Sequence, residues 1–388
     1  MFYDKQPVKN KENYKNMLLI VGKLTLLFSE SDCPYLPYRV HENVFCKYFE
    51  ADNLSRSDCS ADAKKGKIGI GLKTWMGNSD QKVAEFGKLR PEYEFLTGLE
   101  LVKQIATYRN ERIRITKNLH GIDKMIYHIV RRVPENMEIL ESTFDSINIE
   151  NIEVISGRGN ANNTYFADGK HTYHFSKSKN TLYMLFDDLE VLDSISVSIM
   201  DDPYTYLQKG KNDDVLEEIE ESSAFNQEFD FPLEERKEQI CLRLYSTEKD
   251  GTKVVHSKSG LNIWNAAGRK RNANEVYIPY PAEDRRRTEE FFPPREQPFD
   301  LKLPDGSIIS AKVCQENGKA IMSNPNKVLG EWLLRKVFEL EEGTVVTYNM
   351  LEVFGVDCVI FTKEYGKKYS VDFAETGTYE EFINADKE

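Results

Sequence analysis

The sequence predicts an α+β protein, with a mixed α/β N-terminal domain and a strand-rich C-terminal one. Three observations carry this. At 388 residues the chain is long for one hydrophobic core and sufficient for two or three. Residues 1–150 mix helical periodicity with a glycine-punctuated strand, whereas residues 240–388 are mainly short apolar runs between turn residues. Between them, Lys211 to Glu238 holds eleven acids against three bases, the composition of a solvated stretch. The domains so read are residues 1–208, an acidic connector 209–240, and residues 241–388.

The elements follow in order. Met17 to Phe28 is apolar but broken by Lys23, which predicts a buried helix or strand. KIGIGLKTW, ending at Trp75, predicts a strand. Glu92 to Tyr108 puts Phe95, Leu99, Val102 and Ala106 on one helical face, and Ile122, Met125, Ile126, Ile129 and Val133 predict a second helix. Asp168-Gly169 predicts a hairpin turn, with Tyr173 and Phe175 alternating after it and a third strand or helix beyond. In the C-terminal part, EVYIPYP (275–281), FDLKL (299–303) and SIISAKVCQ (307–315) predict strands. Pro304-Asp305-Gly306 and Glu316-Asn317-Gly318 are turn signals. A helix is expected after Asn324-Pro325-Asn326, through Leu329, Leu333, Leu334 and Val337. A shorter one, Tyr348–Phe354, should stop at Gly355. The run VDCVIFTKEYGKKYSVDF predicts a closing hairpin.

Composition excludes several classes. No apolar run approaches the roughly 20 residues of a membrane span, and Met17–Phe28 lacks the layout of a secretion signal. A cytoplasmic protein is expected. Cys33, Cys46, Cys59, Cys241, Cys314 and Cys358 are scattered without a C-x-x-C pair, which argues against a zinc ribbon or a disulfide framework. The net charge of −12 disfavours a generally polyanion-binding surface. Yet from Lys253 to Arg295 the balance reverses locally, to nine bases against five acids.

Residues 39–75 hold the parts needed to hydrolyse a phosphodiester with a divalent metal. Magnesium takes hard oxygen ligands, usually one or two carboxylates, and a neighbouring lysine can stabilise developing charge. Glu42 lies on an expected helix, Asp58 and Asp62 follow, and Lys73 sits on a strand after a tight turn. That turn would bring Asp62 and Lys73 side by side. A turn aspartate and an exposed strand lysine would give the same letters, so the pattern is weakly specific by itself. The segment resembles the PD-(D/E)XK nuclease superfamily. The resemblance implies Asp62 as the first metal-binding acid, Lys73 as the lysine and Glu42 as a carboxylate from the preceding helix. It also implies Mg2+ as cofactor. One departure stands out: Gly71 occupies the position where the pattern has an acid, so Glu42, Asp58 or Glu85 must supply it.

A second cluster, Asp168, His171, His174, Lys177 and Lys179, offers chemistry without a metal. Metal-independent phospholipase-D type nucleases use a His-x-Lys pair. Here neither histidine has a lysine two residues on, so the register fails. Lys177 and Lys179 then read as phosphate contacts, or as an ordinary exposed hairpin. His120 and His128 read as structural residues on or beside a helix, with no acid cluster nearby.

The basic C-terminal segment holds Arg269, Lys270, Arg271, Asn272 and Asn274, then Arg285, Arg286, Arg287, Arg295 and Gln297. A polar cluster of Gln315, Asn317, Lys319, Ser323, Asn324 and Asn326 follows. Arginine and lysine suit guanine edges and phosphates, and asparagine and glutamine suit adenine edges. From about Leu261 to Phe373 the order of features is similar to the C-terminal recognition domain of certain restriction endonucleases. The features are NANEVYIPYP, FFPPREQPF, LPDGSIISAKVCQENGKAIMSNPN and LGEWLLRKV. That domain is a pseudobarrel with a fold like the plant B-three domain. The resemblance implies two loop arms reading duplex DNA: Arg269–Asn274 with Arg285–Gln297 near one, and Gln315–Asn326 forming the other. The expectation is a type II restriction endonuclease, with a homodimer favoured on a symmetric site over a monomer that cuts the strands in sequence. Two alternatives stand: a metal-independent nuclease using residues 171–179, and a non-catalytic sequence-specific DNA-binding protein.

Overall fold

The structure is a computed structural model and describes residues 1–54, 59–77, 80–160, 162–209, 238–288, 290–364, 366 and 368–385. Asp58 and nearly all of the expected acidic connector therefore lie outside the described residues. The chain divides into two compact units. The first comprises Met1–Ser55, Ser60–Ala106 and Asp123–Leu233, and the second Arg56–Cys59, Thr107–Ile122 and Glu234–Glu388. Unexpectedly, Thr107–Ile122 counts with the second unit.

In the first unit, helices α1 (Val8–Lys23) and α2 (Tyr38–Phe49) precede strands β1 (Asp52–Asn53), β2 (Ala63–Lys65), β3 (Ile68–Met76) and β4 (Asp80–Glu85). Helices α3 (Arg90–Tyr93) and α4 (Gly98–His120, counted with the second unit from Thr107 on) follow, then β5 (Lys124–Val133), β6 (Asn136–Thr143), β7 (Glu153–Asn160), β8 (Asn163–Ala167), β9 (Thr172–Ser176), β10 (Thr181–Leu185), β11 (Val191–Ser196) and helix α5 (Pro203–Lys209). Two sheets form, in the orders β1-β2-β3-β5-β6-β11 and β4-β10-β9-β8-β7. Strands β3 and β5 are parallel; the other pairs in both sheets are antiparallel.

Strand alternation sorts the residues of the first sheet. Ile70, Leu72, Ile126, Val130 and Ile139 share a core with Val44, Phe45 and Phe49 of α2 and Tyr14 and Leu18 of α1. Gly71 and Tyr127 lie on the opposite face, where the Tyr127 ring stacks on Phe144. This corrects the helix expected over Ile122–Val133. A central strand buried on both faces is apolar nearly throughout, and such a run mimics helical spacing. The helix expected over Glu92–Tyr108 is also interrupted between α3 and α4. Phe95 lies in that break and is 72% exposed instead of joining an apolar face.

In the second sheet one face is core, with Phe166, Tyr173, Phe175, Leu182 and Met184 all buried. Asp168-Gly169 turns between β8 and β9 as expected, with Gly169 at φ 84°.

The second unit is built on strands β12 (Gln239–Arg243), β13 (Ser246–Thr247), β14 (Lys253–Val254), β15 (Ile278–Pro279), β16 (Pro298–Lys302), β17 (Ile308–Cys314), β18 (Ala320–Ser323), β19 (Val356–Lys363) and β20 (Lys368–Glu375). Seven of them form one sheet in the order β12-β19-β20-β16-β17-β18-β15. Its end strands β12 and β15 approach each other, so the sheet nearly closes into a barrel. Leu242, Leu301, Ile321, Phe361 and Val371 fill it together with Leu333 and Leu334 of the helical segment Val328–Val337. Ile115 and Leu119, on the second half of α4, join the same core. Asn118 Nδ2 donates to the Val337 carbonyl at 3.1 Å and Arg114 to that of Phe338 at 3.2 Å. The expected strands, both C-terminal helices and the Gly355 stop are all present, with Gly355 at φ 81°. Only EVYIPYP shrinks, to the short ladder Ile278–Pro279.

Candidate functional site

The β2–β3 hairpin brings Asp62 against the strand that carries Lys73. Ala63 pairs with Ile70. The Asp62 backbone N–H donates to the Ile70 carbonyl at 2.9 Å. Asp62 Oδ2 accepts from the Leu72 N–H at 2.6 Å, one residue before Lys73. Asp62 and Lys73 are both half-buried. By alternation Lys73 projects on the Gly71 face, away from Ile70 and Leu72.

Glu42 is buried on α2, which packs against the Ile70 and Leu72 face, and Arg39 Nη1 donates to it at 2.8 Å. Cys46 lies one turn further along α2. Burial, followed by the carboxylates of Glu42, Asp52 and Asp62, pushes its thiol up to about 12. These three acids therefore lie within electrostatic reach of one sulfur. Among the described residues, no three His, Cys, Asp or Glu side chains converge as a closed metal cage. Magnesium does not need one, because water and substrate phosphate commonly complete its coordination around one or two carboxylates.

Two histidine clusters also emerge. The first is internal. Tyr14 Oη bridges His41 Nε2 and His128 Nε2 at 3.0 Å each. His128 Nδ1 lies 3.5 Å from Glu141 Oε1, and Glu141 accepts from the backbone N–H groups of Phe2 and Tyr3 at 2.7 and 2.8 Å. His128 is thus on a strand beside an acid, which corrects its expected setting. Burial holds His41 well below and Tyr14 well above their ordinary values, so both stay neutral. A fully buried cluster of this kind reads as structural.

The second cluster lies on the outer row of the five-stranded sheet. Tyr165, His174 and Tyr183 stand in register across β8, β9 and β10. Their rings stack at 4.7 and 4.5 Å. His174 Nδ1 is 3.2 Å from Asp80 Oδ2 on β4. Burial lowers the His174 pKa, Asp80 opposes that, and Arg158 and Lys179 lower it further. Sequence reasoning found His174 and Lys179 but not Asp80, which lies 94 positions away and carries no local signal. His171 is used differently: its Nε2 meets Thr143 Oγ1 at 3.0 Å.

In the barrel, the antiparallel pairs Ile278–Ile321 and Pro279–Ala320 fix where the basic loops go. Residues before Ile278 run beside those after Ile321, and residues after Pro279 beside those before Ala320. Accordingly, the Tyr280 N–H donates to the Lys319 carbonyl at 2.9 Å. Arg295 Nη1 reaches the Gln315 carbonyl at 3.5 Å. Asn274, in turn, packs so closely on Gly330 that a Cβ there would lie 1.9 Å from its carbonyl oxygen.

Residues 233–365 match the family described as the NgoFVII C-terminal B3-like DNA-binding domain. No curated protein matches the chain. The B3-like match covers about a third of the sequence and most of the barrel, and it supports a restriction enzyme with a C-terminal DNA-binding domain.

Within the B3-like segment, the expected grouping of the loops is corrected. Asn274, before Ile278, meets Arg335 and Gly330, which lie beyond Ile321. Tyr280 and Arg295, after Pro279, meet Lys319 and Gln315, before Ala320, whereas Arg287 lines a pocket with Arg243 and Tyr379. The reason is antiparallel pairing, which sends the two flanks of one strand to opposite ends. Several of the expected DNA contacts hold loops together. Arg271 donates to the carbonyls of Ala266 and Ala267 at 2.6 and 3.0 Å. Asn274 accepts from Arg335 Nε at 2.7 Å. Arg285 donates to the Tyr280 carbonyl at 2.6 Å, Arg287 pairs with Asp284 at 2.7 Å, and Arg269 pairs with Glu275. Lys270, Asn272, Arg286, Arg295, Asn317, Lys319 and Asn324 are exposed, and Gln297 and Asn326 are half-buried.

Proposed function

We propose that the chain is a type II restriction endonuclease that hydrolyses both strands of duplex DNA at a specific site, acting as a homodimer in the cytoplasm. The observation that carries this is the B3-like match over residues 233–365. In this reading the barrel gives specificity through its exposed loop residues: Lys270, Asn272 and Asn324 at one end, Arg295, Asn317 and Lys319 at the other. Chemistry belongs to the β2–β3 hairpin. Magnesium, when bound, supplies a polarised water and neutralises charge on the phosphate. Asp62 would hold it, with Asp58 as the second carboxylate; Glu42, on the helix that packs on the Ile70 and Leu72 face, stands across β3 from Lys73. Lys73 stabilises the charge that develops on the reacting phosphate. The hairpin hydrogen bonds fix the Asp62 carboxylate against the strand, so its position relative to Lys73 is set before DNA arrives.

Asp62→Asn and Lys73→Ala should each lower cleavage of a mixed-sequence DNA in magnesium by about 100-fold or more, with duplex binding retained in a gel-shift assay. Parental cleavage rates in both variants would reject the site. A second reading rests on the 3.2 Å His174–Asp80 pair, in which an oriented imidazole could act without metal. Cleavage that survives excess chelator and is lost in His174→Ala would favour it.

A further inference from the structure

The break between α3 and α4 creates a recess in the first unit that the cleavage site does not use. Arg90, Glu94, Phe95, Asn162, Lys177 and Ser178 line a cavity of about 580 Å3. Its walls are braced. Tyr93 is buried against Phe175 and donates to Asn180 Oδ1 at 2.9 Å. Lys177 Nζ donates to the Leu96 carbonyl at 3.0 Å, and its backbone N–H to the Asn162 carbonyl at 2.7 Å. Phe95 is nevertheless 72% exposed, although its ring is large and apolar. Its exposed face, at the rim of the recess, is available for stacking against a flat partner.

We propose that this recess takes one unstacked nucleotide of a single DNA strand, with the base on Phe95. The aromatic face offers sequence-tolerant stacking. Arg90 and Lys177 provide positive charge beside it for the phosphate, and Asn162 and Ser178 provide donors and acceptors for a base edge. The one acid in the wall, Glu94, lies 3.7 Å from Arg90. The volume suits a nucleotide and not a helix, and a base inside a duplex cannot enter a recess unless it leaves the stack. The proposal rests on the reading of this chain as one that acts on DNA.

The test uses the full chain and two fluorescein-labelled probes, (dT)20 and a mixed-sequence 20-base-pair duplex. Phe95→Ala should weaken (dT)20 binding about tenfold in anisotropy titrations, leave duplex affinity unchanged, and be rescued by Phe95→Trp. Photo-crosslinking with 5-iododeoxyuridine in the single strand should map to Phe95, and free dTMP should compete only weakly. Equal (dT)20 affinity in wild type and Phe95→Ala, or no (dT)20 binding by wild type, overturns the proposal. Duplex binding that persists in either case leaves the DNA reading intact, so the two failures are distinguishable.

Discussion

A Cβ atom placed on Gly71 would stand 2.8 Å from Cδ1 of Tyr127. The Tyr127 ring is itself pinned by Phe144, stacked at 4.1 Å with the planes 7° apart. The missing acid two residues before Lys73 therefore has a packing explanation: no side chain fits there. Gly71→Glu should not improve cleavage. Overpacking alone should cost about 1–3 kcal/mol, and a buried carboxylate adds to that. A thermal melt reads this directly. A variant with parental Tm and faster cutting would contradict the account.

The Tyr14 hydroxyl is the shared partner of His41 and His128. Tyr14→Phe keeps the ring but strands two imidazole nitrogens in an apolar core. The expected cost is about 1–3 kcal/mol. It should appear as a lower denaturant midpoint with unchanged slope.

Asp305 ties the β16–β17 turn to the Val328–Val337 helical segment. It accepts from Trp332 Nε1 at 3.0 Å and Lys336 Nζ at 2.6 Å. Burial would raise its pKa, but hydrogen bonds from Lys336, Ser307 and Trp332 outweigh that and hold it at about 2, below the ordinary 3.8. A depressed carboxylate stabilises the fold fully above its unfolded pKa. That contribution is lost as pH falls from about 3.8 through about 2. Asp305→Asn should therefore be less stable than wild type at neutral pH, with the gap closing across that window. Urea titrations at stepped pH would show it, and a constant gap would refute it.

Lys270 and Arg271 are adjacent but should behave oppositely. Lys270 is exposed, so Lys270→Ala should weaken duplex binding, lower the salt slope by about 1 and leave Tm unchanged. Arg271 is spent on the carbonyls of Ala266 and Ala267. Arg271→Ala should cost about 1 kcal/mol of stability and affect binding only through loop disorder. Salt-dependent anisotropy paired with melts separates the two.

Much of the architecture was legible because short-range chemistry specifies it. Asp168-Gly169, Pro304-Asp305-Gly306 and Gly355 mark turns and a helix end through backbone preferences that neighbours hardly alter. The strand over KIGIGLKTW and the Asp62–Lys73 hairpin follow from the same kind of signal. Strand β5 reads as a helix in the sequence because burial on both faces removes the alternation that identifies a strand. Phe95 falls on a helical face by periodicity, which counts apolar residues regardless of where a helix breaks.

The sequence by itself determined that there is an acid–turn–lysine hairpin near the N-terminus, a strand-rich C-terminal part, and a local excess of basic residues within an acidic chain. Those are properties of composition and local spacing. Tertiary structure decided which basic residues face solvent and which brace loops, why Gly71 carries no side chain, that Asp80 meets His174, and that Phe95 stands at the mouth of a recess. Each of these depends on strand register or on packing between residues far apart in the chain, and neither leaves a mark in the local sequence.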